Sequence, residues 1–352
     1  MARIKRSTGH FLEDFSAGRI FRHKRGKTVT EGLFNDFTDF TFCTSPLYKN
    51  VEYARAHGFA QMPCPPGLVM NVTFSQTVED ISENARANLG YIDMKFGVPV
   101  FVGDTIEVET KVLEVTPSSK DPDRGVVKVQ STGYNQRREV VLTFQRAVQI
   151  WKRDAANAVE KSAIAPEAIA VQSWIPPYDP KVNYKALAHL SSPHGYFEDF
   201  TTGDVYEHSR GRVITDEHVP LTAKLDNTSQ VHCNQYLIDS NPGKYLGGKL
   251  LVYGGLPFNF CLGLSSPDIG ENALADLHYR SGNHVSPIFV GDTVFAESEI
   301  LGTADMPGRE DLGLVRSMLR GYKMAQKDGK WEKVQIFELD REIAVKRRSH
   351  YA

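Results

Sequence analysis

Between Leu225 and Phe258 the chain reads LDNTSQVHCNQYLIDSNPGKYLGGKLLVYGGLPF, and this stretch gathers the residue types that can move a proton. His232 follows closely on a carboxylate and an amide, Asp226 and Asn227. An imidazole can take a proton from water while such a neighbour holds the water in place. Further along, Gly254 and Gly255 precede an apolar run that reads as the start of a helix. The first N–H groups of a helix have no partner within it and attract negative charge. An acyl thioester resting its carbonyl oxygen on the Gly255 amide would present a nearby carbon to His232. A lone histidine near an aspartate is more often a structural pair, so the rest of the chain must decide.

The elements that would position these groups occur twice. FLEDFSAGRIFRHKRGKTVTE, from Phe11, returns as FEDFTTGDVYEHSRGRVITDE from Phe197, with Leu12 to Glu31 superposing on Phe197 to Asp216. VPVFVGDTIEVETKV, from Val98, returns as VSPIFVGDTVFAESEI from Val285. Between these blocks PPGLVMNVTFS matches GGLPFNFCLG, with Gly67 over Gly255 and Asn71 over Asn259. A repeat of about half the chain means two copies of one domain, not a solenoid. In the first copy Thr30 is the expected N-cap of a helix with apolar Leu33, Phe34, Phe37 and Phe40 at helical spacing. A Gly-headed apolar helix follows, then strands marked by alternation at Thr105 to Val115, Gly125 to Tyr134 and Val140 to Trp151. The second copy repeats them at Thr293 to Leu301, Gly313 to Lys323 and Val334 to Lys346. Each unit is expected to wrap a curved antiparallel sheet round a long helix, an α+β plan. The expected domains are 1–154 and 196–352, joined by an Ala- and Pro-rich linker at 155–195 whose Trp174 suggests partial order on the surface. The two should pack through adjoining sheets, and a further homodimer of chains is compatible with this plan.

Composition excludes several classes. With 352 residues, 41 basic and 43 acidic side chains and a net charge of −2, the chain is an ordinary globular protein with no general attraction to nucleic acid. No run approaches the roughly 18 apolar residues of a membrane span, and the basic N-terminus MARIKRSTGHFLEDF lacks an apolar core, so a cytoplasmic protein without membrane contact is expected. Cys43, Cys64, Cys233 and Cys261 lack the spacing of a zinc site or disulfide framework, and no metal is expected. The basic tail VKRRSHY reads as a solvated end.

Together the paired FxxF-Gly openings, the Gly-headed helix starts and the P-(V/I)-F-V-G-D-T strand entries resemble MaoC-like dehydratases in their tandem, or double, hot-dog form. The segments SQTVEDISENARANLGYIDMKFGVPVFVGDT and VVKVQSTGYNQRREVVLTF resemble most the mesaconyl-CoA hydratase branch, also called β-methylmalyl-CoA dehydratases. The resemblance implies reversible hydration of an enoyl-CoA without metal or redox cofactor. It also implies a motif, Asp-x-Asn-Pro-(Leu/Ile/Val)-His, from which both copies depart. In the first, Cys43 and Tyr48 replace acid and histidine, and that copy is expected not to catalyse. In the second, Asn227 stands at the acid's place and His232 is kept, with Asp226 just before. The implied mechanism uses His232 as base, Asn227 or Asp226 to orient water, and Gly255 as oxyanion donor with Gly254 beside it in the substrate site. A substrate carboxylate would need a cation, for which Arg280 is the expected residue, and the Phe-rich helix (Phe34, Phe37, Phe40, with Phe42) is available to shape the acyl pocket. A hot-dog thioesterase and a non-catalytic acyl-CoA-binding protein are the alternatives.

Overall fold

Alternation of apolar side chains builds long strands in both halves, and these join edge to edge in the structure, a computed structural model that describes residues 9–352. The basic residues at 1–8, on which the reading of the N-terminus rested, lie outside those described. The first half runs β1 (Ile20–Arg22), β2 (Lys27–Thr28), α1 (Glu31–Phe40), α2 (Val51–Ala56), α3 (Pro66–Gln76), β3 (Ala85–Phe96), β4 (Thr105–Pro117), β5 (Arg124–Tyr134) and β6 (Val140–Trp151). After the short β7 (Ser162–Ala163) the second half runs β8 (Val205–Glu207), β9 (Arg212–Val213), α4 (His218–Lys224), α5 (Gln235–Asp239) and α6 (Gly255–Ser265). It closes with β10 (Ala273–His284), β11 (Thr293–Asp305), β12 (Leu312–Lys327), β13 (Lys330–Lys346) and α7 (Arg348–Tyr351). Strand order is β1-β4-β5-β6-β3-β10-β13-β12-β11-β8, so the halves meet where β3 pairs antiparallel with β10, Tyr91 opposite Gly282 and Met94 opposite Tyr279. This is the double hot-dog plan.

The helices α3 and α6 are buried on every side because each is enclosed by its sheet and by the other helix. A Cβ at Gly67 would fall 1.5 Å from Asn259 Oδ1, and one at Gly255 would fall 2.0 Å from Asn71 Oδ1. The Gly–Asn pairs matched by the repeat are thus the points where the two helices cross. Thr30 caps α1 by accepting the Leu33 N–H at 3.2 Å, as expected. The earlier part of the linker lies on the first half, where β7 pairs with β4 and Ser173 Oγ donates to the Phe96 carbonyl at 2.6 Å, and the later part packs Tyr178 and Tyr184 on Leu312 and Tyr351 of the second. The tail departs from expectation. Lys346 and Tyr351 are buried, Tyr351 stacking on His57 at 5.7 Å, so VKRRSHY is a packed terminus instead of a solvated one.

Candidate active site

A single left-handed residue decides which polar side chain enters the interior. The chain leaves α4 through Asp226 at φ 61°. This turn swings Asp226 outward to an ion pair with Lys27 at 3.0 Å and brings Asn227 inside, 5% exposed. Asn227 Oδ1 then accepts the Ser229 N–H at 3.1 Å, which sets the next turn. A single 3-10 turn, Gln230–His232, carries the imidazole into the interior. His232 Nδ1 lies 2.7 Å from the Leu251 carbonyl oxygen. A carbonyl can only accept, so Nδ1 carries the proton and Nε2 keeps its lone pair. Burial draws the imidazole down to about 4, and it is neutral near pH 7.

His232, Asn227 and Gly254 line one cavity of about 250 Å³. Its wall also takes Ser229, Tyr253 and His284 from the second half, and Phe74, Val78, Ser82, Asn88, Tyr91 and Arg146 from the first. The site is therefore built between the two copies. Among the described residues no aspartate or glutamate lines it. Gly254 must be glycine because a Cβ there would meet the His284 ring at 2.8 Å. Gly255 lies behind it as the first residue of α6, where its N–H has no partner within the helix. The Tyr253 hydroxyl sits beside Ser75 and Asn227 without a well-formed hydrogen bond to either, and burial raises it well above the usual phenol range.

Two expected residues lie elsewhere. Asp226 faces Lys27, as described, and Arg280 is on the outer face of β10, exposed and paired with Glu342 at 2.8 Å. Arg280 falls at an irregularity in register between Tyr279 and Ser281, and its side chain turns out to solvent while Tyr279 stays buried. The Phe-rich helix does not shape this cavity either. Phe34 and Phe37 belong to the core, Phe40 packs on Phe260, and Phe42 is exposed beyond the helix end. The first copy contributes through α3, β3 and β6 instead. Sequence reasoning missed Arg146, Tyr91 and His284. His284 is pulled down to about 4 by burial and meets the Tyr91 hydroxyl through Nε2 at 3.2 Å. Its signal in the sequence was its place shortly before the second strand-entry motif, on a strand whose alternation is broken.

The matching positions of the first copy line a cavity of about 40 Å³. Cys43, Ser45 and Tyr48 stand there where Asn227, Ser229 and His232 stand in the larger one, facing Asp276 and Arg341. Desolvation pushes the Cys43 thiol up to about 11 and the Tyr48 phenol well above its usual range, so neither is a base near pH 7. Among the described residues no cluster of three His, Cys, Asp or Glu side chains could hold a metal ion, and no helix is long and apolar enough to cross a membrane.

The family model described as mesaconyl-CoA hydratase matches residues 2–328. A β-methylmalyl-CoA dehydratase of Chloroflexus aurantiacus is 35% identical, the match covering 89% of this chain and 88% of that protein. A mesaconyl-CoA hydratase of Cereibacter sphaeroides is 31% identical over 96% of this chain and 98% of its own. Among solved structures, a MaoC domain dehydratase from Chloroflexus aurantiacus superposes with a TM-score of 0.88 at 31% identity, covering 98% of this chain and all of that one. A Mycobacterium tuberculosis protein with a double hot-dog fold superposes at 0.76 with 19% identity over 97% of this chain and 99% of its own, a likeness of fold alone.

Proposed function

The chain belongs to the mesaconyl-CoA hydratase family, and we propose from this that it is a hydro-lyase adding water reversibly to an enoyl-CoA, with mesaconyl-CoA and β-methylmalyl-CoA as the pair interconverted. The observation that carries the site assignment is the tautomer of His232. With Nδ1–H held by the Leu251 carbonyl, Nε2 is a neutral base in a cavity it shares with Asn227. In hydration Nε2 takes a proton from a water held by Asn227, and the resulting hydroxide bonds to C3 of the acyl chain. The C2–C3 π electrons move toward the thioester oxygen, where the Gly255 N–H would meet the developing charge, an effect worth roughly 3 kcal/mol per donor. The imidazolium then returns its proton to C2, so one water has crossed the double bond and the base is restored. The reverse sequence dehydrates the 3-hydroxyacyl-CoA.

A thioesterase of this fold would need a carboxylate to aim water at the carbonyl carbon, and the described residues of the cavity wall include none. The test offers the purified protein a panel of enoyl-CoA esters, following water gain by mass and free thiol by a colorimetric reagent. His232→Gln should lower hydration by about a thousandfold with the fold intact. Hydration persisting within tenfold removes His232 from the role of base, and thiol release without water gain replaces the hydratase reading.

A further inference from the structure

The cavity wall contains one deeply buried cation. Arg146, in the middle of β6, is 0% exposed. Its guanidinium donates to Thr77 Oγ1 at 2.8 Å and more weakly to Ser82 Oγ at 3.4 Å, and lies over the Phe74 ring at 4.4 Å. Nε has no partner, and no carboxylate among the described residues pairs with the group. Burial draws it down only to about 10, so it remains charged at neutral pH. A buried cation without a counter-charge is costly to keep unless something outside the chain meets it.

The other half holds the same arginine with its counter-charge supplied. Across β3 and β6 Tyr91 lies opposite Arg146 and Asn88 opposite Val148, and across β10 and β13 Tyr279 lies opposite Arg341 and Asp276 opposite Ile343. The first two irregularities in each pair fall at matching steps, Ala85/Ala87 with Ala273/Ala275 and Asn88/Gly90 with Asp276/His278, so Arg146 and Arg341 are equivalent, as are Asn88 and Asp276. Arg341 is held by Asp276 through Nε to Oδ1 at 2.5 Å and Nη2 to Oδ2 at 3.2 Å. Nε is the atom that Arg146 leaves unpartnered. Asn88, in the place of Asp276, has both side-chain polar atoms buried beside Tyr91 without a well-formed hydrogen bond. The cavity with the imidazole thus keeps the cation and lacks the carboxylate, while the cavity without the imidazole has both.

We infer that Arg146 receives a carboxylate carried by the acyl chain of the substrate, aided by the Asn88 amide, and so selects dicarboxylic monothioesters over plain acyl thioesters. This assigns the residues that set specificity at the hydratase site proposed above and rests on that reading for its reaction, though not for its binding. Arg146 orients the acyl chain and transfers no proton. A guanidinium edge meets a carboxylate with two charge-assisted hydrogen bonds, and a plain acyl chain would leave those donors unpaired.

The decisive variant is Asn88→Asp, which gives Arg146 the internal counter-charge that the other half already folds with. The ratio of kcat/KM for mesaconyl-CoA over crotonyl-CoA should fall by about a hundredfold or more. In parallel, calorimetry compares two esters that have no double bond to hydrate, succinyl-CoA and butyryl-CoA. The unaltered protein should bind succinyl-CoA at least about tenfold more tightly, and Asn88→Asp should erase the difference. Equal affinity of the unaltered protein for the two esters overturns the assignment, whether or not the variant folds, and so does a preference that survives in folded Asn88→Asp. A protein that prefers succinyl-CoA but hydrates no enoyl-CoA would retire the reaction and keep the carboxylate receptor. One that hydrates both enoyl esters and binds the two saturated ones alike would do the reverse.

Discussion

Lowering the pH tests the buried-base reading, because the imidazole that must accept a proton sits where a proton is hardest to place. Burial holds His232 at about 4 against an ordinary value of 6.5. In the unfolded chain the ring protonates as pH falls through 6.5, whereas in the folded protein it stays neutral until about 4. Across that interval the unfolded state binds more protons, so stability is complete above 6.5 and declines as pH falls, by about 1.4 kcal/mol per pH unit for each such histidine. For His232 alone the gap amounts to roughly 3 kcal/mol. Burial holds His284 down at about 4 and His57 at about 3, and both act with the same sign. A domain with roughly 5–15 kcal/mol to lose should therefore unfold near or above the pH at which His232 would itself protonate. The expected profile of kcat/KM, followed by loss of enoyl absorbance, is level from pH 8 to about 6 and falls below about 5 together with the circular dichroism of the same samples. A fall centred at pH 6 to 7 while the fold is intact would refute the reasoning. It would mean that the catalytic imidazole ionises as if solvated.

Further outcomes separate residues that the sequence leaves equivalent. Asn227→Ala should lower turnover by at least about tenfold while Asp226→Ala, which breaks only a half-exposed ion pair with Lys27, stays within about twofold; the opposite order would return the water-orienting role to the carboxylate. Gly255→Ala forces a Cβ to within 2.0 Å of Asn71 Oδ1. It should destabilise the fold by about 1–3 kcal/mol, and a melting temperature within a degree of the unaltered protein's would contradict that contact. Cys43→Ser and Tyr48→Phe should leave turnover nearly unchanged; a loss as severe as that from His232→Gln would make the small cavity a second working site.

The sequence alone carried the duplication, because a domain copied in tandem leaves the same turn and helix-start residues at matching distances. It also carried β4 to β6 and β11 to β13, whose steady alternation reports one buried face. The repeat likewise picked out Gly67 with Asn259 and Gly255 with Asn71, although only the fold shows that each pair is a helix crossing. It did not reveal β3 and β10. Repeated shifts of register break their alternation, and their side chains are divided between the cavity and the seam between the halves. These are the strands that bring Asn88, Tyr91 and His284 to the site. Asp226 and Asn227 could not be told apart by residue type, since one left-handed φ sends the first to solvent and the second inside. The cation proposed for the substrate carboxylate was out of reach for a related reason. Arg280 and Arg146 are both arginines on strands, and what separates them is which face of the pleat each occupies and whether a carboxylate lies across from it, which only pairing between distant strands decides.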